Sequence, residues 1–177
     1  MKMLRNVVIA VAVLLVLFLV IGFFLPSTFT VERSTLIAAP VESIYARVAT
    51  PRTWATWSAW TVKQDSTLVY TYAGPDSGVG AIMRFTARRM GSGELQIVEA
   101  ITDRVVGYDL RLTGTSMKVS GRVTFEPAGD GTRVTWRDSG DLGGNVLLRY
   151  LAPLLDRNLA AAYEESFAGL RRETAAR

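Results

Sequence analysis

The stretch from Val7 to Leu25 is the strongest constraint on how this chain can fold. It reads VVIAVAVLLVLFLVIGFFL, nineteen consecutive residues without a charged or strongly polar side chain. As a helix it would be about 28 Å long, close to the roughly 30 Å hydrocarbon core of a bilayer. Because a small globular domain rarely buries a helix that is apolar on every side, the stretch predicts a membrane span that ends at Pro26.

A cleavable signal peptide is the alternative. The apolar region of such a peptide usually covers about 7–15 residues and precedes a small-residue cleavage site. Here the apolar stretch is longer, and the following LPSTFT contains no A-x-A-like site. The sequence therefore favours an uncleaved anchor over residues 1–26 and a soluble domain over residues 27–177.

The charges that flank the stretch predict its orientation. Lys2 and Arg5 precede it, whereas Glu32 and Arg33 roughly cancel just after it. Under the positive-inside rule, the N-terminus is then cytoplasmic. The soluble domain is predicted to lie on the outer side of the membrane, in the periplasm or outside the cell.

Composition excludes several classes of protein. The chain contains no cysteine and no histidine, so it has no disulfide, no thiolate or imidazole metal site and no triad that uses either residue. Twenty Lys and Arg against sixteen Asp and Glu give a net charge of +4, too small an excess for a nucleic-acid-binding surface. We expect no metal, no cofactor and no nucleic-acid partner.

The soluble part is dominated by short segments with the alternation of β-strands. The predicted strands cover residues 29–37, 68–72, 81–89, 94–101, 104–112, 117–127 and 132–138. In the sixth of them, Met117, Val119, Val123 and Phe125 share the apolar face. The last six strands have short connections, which predicts an antiparallel meander with one buried face.

Two segments have helical spacing. Residues 41–49 form a short amphipathic helix, and residues 145–173 form a long one with apolar residues at i, i+4 steps. Asn145 is a plausible N-cap, and Pro153 should kink or restart the long helix. A curved sheet packed on such a helix readily leaves a cavity between them.

This order of elements, with several local strings, resembles the helix-grip superfamily of START domains, Bet v 1-like proteins and polyketide cyclase/dehydrase-type (SRPBCC) proteins. The strings are VERSTLIAAPVESIYARVATPRTWATWSAW (31–60), GVGAIMRF (78–85), ITDRVVGYDL (101–110) and TFEPAGDGTRVTWRDSGDLGGN (124–145). The resemblance implies an α+β fold in which a curved antiparallel sheet of about seven strands wraps round the C-terminal helix. This fold hosts both binding proteins and enzymes, and no catalytic motif transfers, so we assign no catalytic residue.

The segment PRTWATWSAW (51–60) holds three of the four tryptophans, Trp54, Trp57 and Trp60. At three-residue spacing their side chains share one side of an α-helix or a 3₁₀ turn. The resemblance places this segment at the mouth of the cavity under the C-terminal helix. We predict that at least one of these indoles contacts a hydrophobic ligand; core filling and contact with a membrane surface are the alternatives.

The inward faces of the strands and of the long helix supply further candidate ligand-binding residues. They are Tyr70, Tyr72, Phe85, Tyr108, Trp136, Leu151, Leu155 and Leu159. Apolar walls with a few hydroxyl groups suit a hydrophobic small molecule. A strand phase that is wrong by one residue would exchange this whole set.

Charged residues on the strands raise the question of chemistry. Five carboxylates lie on or near predicted strands, and a buried one could act as a general base: Glu94, Glu99, Asp109, Asp138 and Asp141. Five basic residues could share the outer face of the sheet and contact anionic headgroups: Arg111, Lys118, Arg122, Arg133 and Arg137. Asp109, Glu126 and Asp138 lie near them, so we expect a solvated outer face of mixed charge.

These observations predict a membrane-anchored helix-grip domain that binds a hydrophobic small molecule or lipid without altering it. One alternative is a cyclase- or hydrolase-like enzyme that uses a carboxylate and a tyrosine in the same cavity. Another is an interaction module whose tryptophans fill the core. A buried carboxylate facing a tyrosine would favour the enzyme, and a closed core would favour the module.

Overall fold

The structure, a computed structural model, describes residues 2–150 and 152–175. The helices are α1 (Lys2–Phe24), α2 (Val41–Val48), α3 (Trp54–Trp57), α4 (Val146–Arg149) and α5 (Ala152–Thr174), and a 3₁₀ turn (Pro51–Thr53) precedes α3. The strands are β1 (Thr28–Ile37), β2 (Val69–Ala73), β3 (Ile82–Ala87), β4 (Gly91–Ile101), β5 (Val105–Leu112), β6 (Lys118–Ala128) and β7 (Gly131–Asp141).

All seven predicted strands are present, and they form one antiparallel sheet in the order β1-β7-β6-β5-β4-β3-β2. The last six follow each other as a meander, and β1 joins the edge beside β7. The inner face carries the apolar residues, as the alternation on β6 predicts: Val119, Val123 and Phe125 are all buried. With α5 packed on β1 and α3, the architecture is the α+β helix-grip fold.

The predicted C-terminal helix is divided into two. Asn145 caps α4, since its Oδ1 accepts a hydrogen bond from the Leu147 N–H at 3.0 Å. The helix then stops, and Pro153 lies in the first turn of α5, where its missing N–H has no helical acceptor to satisfy.

The apolar N-terminal stretch forms α1, and its side chains are largely exposed. Met3–Phe24 is long and apolar enough to cross a membrane; an 18-residue stretch of it has a mean hydropathy of 3.4 and is only 6% buried. Within the described residues, the last turns of α1 contact α4. The sheet and its helices therefore leave most of this long apolar helix uncovered.

The outer face of the sheet has mixed charge. Arg84 pairs with Glu94 at 2.7 Å, and Arg122 pairs with Glu99 at 2.8 Å. These pairs cross between neighbouring strands, as expected for a solvated face.

Asp138 corrects the expectation that this carboxylate lies near the outer basic residues. Its side chain is 4% exposed and points into the inner face of the sheet. The reason is the two-residue period of a strand, since Trp136 on the same strand also points inward.

Candidate functional site

The space between the inner face of the sheet and α5 has a closed end, packed with aromatic rings. Trp136 lies at its centre, and the buried rings around it belong to Trp54, Trp57, Tyr163 and Phe167. The indole of Trp136 stacks on the Tyr163 ring with 4.9 Å between centroids, and neither side chain has measurable exposure. We call this set the aromatic cluster; it is ordinary close-packed core.

Close contact between α3 and α5 holds the aromatic cluster in place. A Cβ on Gly169 of α5 would overlap the carbonyl oxygen of Trp57, so glycine allows the two backbones to touch. Nearby, the Ser166 Oγ accepts a hydrogen bond from the Ala59 N–H at 2.9 Å. The indoles of α3 are therefore fixed against the sheet.

Next to the aromatic cluster, the same space contains a cavity of about 590 Å³. This volume lies within the roughly 300–1,000 Å³ of small-molecule sites. Its walls come from the inner face of the sheet, from α3 and the following loop, and from the first half of α5. Most of the lining side chains are apolar, so the cavity suits a hydrophobic molecule.

Seven of the eleven candidate ligand-binding residues line this cavity: Trp54, Trp60, Tyr70, Phe85, Tyr108, Leu155 and Leu159. Trp57 and Trp136 lie instead in the aromatic cluster. Tyr72 lies on β2 at the sheet edge, with the guanidinium carbon of Arg52 4.7 Å from its ring centroid. Leu151 lies outside the described residues.

One row of paired residues supplies much of the floor of the cavity, and most of its members were not named from the sequence. Its lining members run from β1 to β3 across the sheet: Phe29, Val119, Leu110, Leu95 and Met83. Val119 was predicted to point inward, and residues paired with it across an antiparallel meander share its face. Tracing the pairing outward from Val119 would have found the others.

A buried carboxylate lies where the cavity meets the aromatic cluster. The Tyr108 hydroxyl donates to Asp138 Oδ1 at 2.7 Å, and the Tyr163 hydroxyl donates to Oδ2 at 2.6 Å. The Trp136 Nε1–H in turn donates to the Tyr108 hydroxyl oxygen at 2.8 Å. Asp138 also lines the cavity, so this network presents a buried polar group to it.

A glycine makes the contact between Tyr108 and Asp138 possible. Gly121 on β6 pairs with Tyr108 of β5 on one side and with Asp138 of β7 on the other. A Cβ at this position would overlap both the tyrosine ring and the carboxylate. The Tyr108 side chain therefore crosses over β6 at the one place where that strand has no side chain.

Burial sets the protonation of this network. Removal from water raises the pKa of Asp138, and the hydrogen bonds from Tyr163 and Tyr108 oppose that rise. Burial, followed by the nearby carboxylate, raises the pKa of Tyr108 well above its ordinary value. Both tyrosines therefore stay protonated and donate. The arrangement offers a carboxylate that is more basic than usual and can accept a further hydrogen bond from a ligand.

A third tyrosine, Tyr70, holds the backbone of the tryptophan that flanks the cavity. The Tyr70 hydroxyl donates to the Trp60 carbonyl oxygen at 2.6 Å. Burial raises the pKa of Tyr70 to about 12, so this donor also keeps its proton. The half-buried Trp60 is thereby held between the cavity and the aromatic cluster, and its ring packs on Trp136 with 6.1 Å between centroids.

Asp65, which sequence reasoning missed, holds one rim of the cavity. Its Oδ1 accepts from the Thr67 hydroxyl at 2.6 Å, and its Oδ2 accepts from the Arg89 N–H at 2.7 Å. The Thr67 hydroxyl and the backbone N–H groups lower the pKa of Asp65 to about 2. This carboxylate ties the loop after α3 to the β3–β4 turn, and the short spacing of Asp65 and Thr67 was the available signal.

Comparison with solved structures supports the fold. Protein CV1439 from Chromobacterium violaceum is 17% identical, with a TM-score of 0.62 over 84% of this chain and 98% of its own. The di-domain ARO/CYC BexL from the BE-7585A biosynthetic pathway is 17% identical, with a TM-score of 0.63 over 85% of this chain and 51% of its own. Truncated norcoclaurine synthase from Thalictrum flavum is 13% identical, with a TM-score of 0.60 over 81% of this chain and 92% of its own.

Identities this low show a shared fold alone. No curated protein sequence is significantly similar to this chain. The family comparison is more specific, because residues 28–175 match the model described as polyketide cyclase / dehydrase and lipid transport. That match covers nearly all of the sheet-and-helix domain and confirms the resemblance found in the sequence. The chain therefore belongs to the polyketide cyclase / dehydrase and lipid transport family.

Proposed function

We propose that this protein is a membrane-anchored domain that binds a hydrophobic small molecule or lipid between its sheet and α5. The observation that carries the proposal is the cavity of about 590 Å³ with mainly apolar walls. Membership of a family described by both cyclase chemistry and lipid transport is consistent with it. The cavity argues against the alternative of an interaction module, whose tryptophans would have filled this space.

The ligand is expected to lie against the row from Phe29 to Met83 on one side and against Leu155 and Leu159 on the other. Trp60 and Tyr70 flank it near the loop after α3. Burying an apolar molecule among such side chains contributes about 25 cal/mol of favourable free energy for each Å² of apolar surface removed from water. Affinity should therefore follow the hydrocarbon area of the ligand.

The anchor is proposed to be residues 1–26, with the domain over 27–177. Its support is the exposed apolar helix α1 together with the absence of a cleavage site after it. Lys2 and Arg5 precede the apolar stretch, which favours a cytoplasmic N-terminus and a domain on the outer side.

Native mass spectrometry of the full chain, purified in mild detergent from the cell in which it naturally occurs, tests the binding proposal. We expect a bound molecule that is lost on denaturation and that is missing from Leu110→Trp, which fills the cavity. Leu36→Trp, on a side chain that is 53% exposed, is the matched control and should keep the molecule. A wild-type protein without any adduct, or the same adduct on the wild type and both variants, would contradict the proposal.

An enzyme is the second candidate, and the buried Asp138 favours it. A carboxylate with a raised pKa, lining a cavity beside Tyr108, can accept a proton from a bound substrate. Asp138→Asn keeps the shape and removes the base. If the bound molecule changes mass during incubation with wild type but not with Asp138→Asn, the protein is an enzyme; an unchanged molecule in both supports binding alone.

A further inference from the structure

The soluble domain holds the end of α1 through α4 and the residue that follows it. The Arg149 guanidinium donates from Nη1 to the carbonyl oxygens of Phe23 at 2.7 Å and Leu25 at 3.2 Å. The Tyr150 ring stacks on Phe18 with 4.2 Å between centroids, and its hydroxyl donates to the Phe18 carbonyl oxygen. The two carbonyl groups that Arg149 contacts lie at the end of α1 and lack partners within the helix, whereas Phe18 lies inside the helix.

A glycine again permits the approach. A Cβ on Gly22 would overlap the side chains of Val146 and Tyr150, so α4 lies directly against the backbone of α1. The contact is therefore shaped to these two helices rather than made by long flexible side chains alone.

The depth of this contact follows from the length of α1. Phe18 lies six residues before the last residue of α1, which is about 9 Å along the helix axis. The apolar stretch is only about as long as the hydrocarbon core is thick, so it has no surplus that could carry Phe18 into water. If α1 crosses a membrane, α4 must lie at the membrane surface, with the Tyr150 ring reaching from the interfacial layer towards the hydrocarbon core. The apolar Leu147 of α4 is 56% exposed, and Tyr150 is of the residue type that favours this layer.

The cavity opens at the same end of the sheet. Thr28, at the start of β1, pairs with Asp141 at the end of β7, which pairs with Lys118 at the start of β6. Phe29 and Met117, each adjacent in sequence to a member of this row, line the cavity. Asp138 also lines the cavity, and it lies three residues before Asp141 on β7, further from α1. The cavity therefore extends from Asp138 towards the anchored end of the sheet.

The rim at this end carries positive charge. Lys63, Arg88 and Arg89 are exposed in the loop after α3 and in the β3–β4 turn, and Arg89 also lines the cavity. No ion pair within residues 2–150 and 152–175 involves these three side chains. The outer face differs, since Arg84 and Arg122 there are paired with glutamates. Unpaired basic side chains at the rim are complementary to anionic lipid headgroups.

We propose that the mouth of the cavity faces the bilayer that α1 crosses, so that an amphiphile of the adjacent leaflet enters the cavity without passing through water. The inference rests on the proposed function for the ligand and for the anchor. It adds the source of the ligand. It also assigns α4 and the basic side chains of Lys63, Arg88 and Arg89 as the surface that contacts the membrane.

Fluorescent labels can test this geometry, because the chain has no cysteine of its own. The full chain would carry a single cysteine labelled with the fluorophore NBD, in vesicles of phosphatidylcholine and phosphatidylglycerol that contain a nitroxide-labelled lipid. Leu147→Cys reports on α4, and Ser116→Cys reports on the β5–β6 turn beside the mouth. Asp130→Cys, in the β6–β7 turn at the opposite end of the sheet, is the matched control.

We expect at least about twofold quenching at positions 147 and 116 and none at 130, because the nitroxide reaches only groups within or near the interfacial layer. Quenching at neither position, or at 147 alone, would overturn the inference, since the mouth would then face away from the membrane. The mass measurement on Leu110→Trp remains independent. Quenching without a cavity adduct would support the membrane face and overturn the proposed ligand, whereas an adduct without quenching would do the reverse.

Discussion

The two ends of the space beneath α5 share one sheet and one helix, yet one is filled and the other is open. In the aromatic cluster, the second half of α5 presents the rings of Tyr163 and Phe167 to Trp136. Beside the cavity, the first half of α5 presents the smaller side chains of Leu155 and Leu159. The size of the side chains along a single helix therefore helps to decide where this fold keeps space for a ligand.

The comparison predicts unequal costs when a side chain of α5 is shortened. Phe167→Ala should lower the free energy of unfolding by about 3–5 kcal/mol, because it leaves a void in close-packed core. Leu159→Ala should cost only about 1 kcal/mol, since its side chain already borders the cavity and little new void forms. Urea unfolding of the full chain in detergent would measure both. Equal losses would mean that the two ends are packed alike.

The contact over Gly121 sharpens the boundary between the two ends. Gly121→Ala should lower the free energy of unfolding by about 1–3 kcal/mol, because the added Cβ displaces Tyr108 from Asp138. Gly144→Ala is the matched control, since nothing lies within 4 Å of its Cβ position, and it should change stability by less than about 0.5 kcal/mol. An unchanged free energy of unfolding in Gly121→Ala would show that Tyr108 does not cross β6 at this position.

Filling the open end should affect binding more than stability. Leu110→Trp places a large ring in existing space, so the free energy of unfolding should change by less than about 1 kcal/mol. The bound molecule should nevertheless be lost. A loss of several kcal/mol in the same unfolding experiment would indicate that the space around Leu110 is closed.

The buried carboxylate predicts the smallest effect, a change in pH dependence. Burial raises the pKa of Asp138 above its ordinary value of 3.8, so the folded protein binds its proton more tightly than the unfolded chain does. Stability from this group is present below pH 3.8 and is lost as pH rises through the raised pKa. The unfolding temperature should therefore fall less steeply with rising pH above 3.8 in Asp138→Asn than in the wild type. Parallel curves of unfolding temperature against pH would contradict the raised pKa.

Most of the fold was predicted from the alternation of apolar and polar residues along the strands. The same alternation shows which face a site residue lies on but not which residues it contacts. The inward position of Trp136 was predicted, and Asp138 two residues later had to share its face. A carboxylate in a sequence is nevertheless expected at the protein surface, because burying it is tolerated only when hydrogen-bond donors lie nearby. Those donors, Tyr108 and Tyr163, come from β5 and α5, and one sequence does not show that they meet.

The three tryptophans of 51–60 illustrate a second limit. Equal spacing predicts one shared side only while the helix continues. Here α3 ends at Trp57, and Ser58 is extended. All three rings nevertheless pack on Trp136, with 5.8, 5.9 and 6.1 Å between centroids, so the shared side was predicted correctly. The spacing could not show that Trp60 is half-buried beside the cavity while Trp57 is fully buried.

Thiol accessibility tests the central contrast most directly, because the chain is free of cysteine. Leu110→Cys places one thiol in the cavity, and Leu170→Cys places one at a fully buried position on the second half of α5. The rate of alkylation by a small maleimide would be measured for each full chain under folding conditions. An open cavity predicts rapid reaction at 110, slowed by the native bound molecule, and almost none at 170. Equal protection of both thiols would contradict the account.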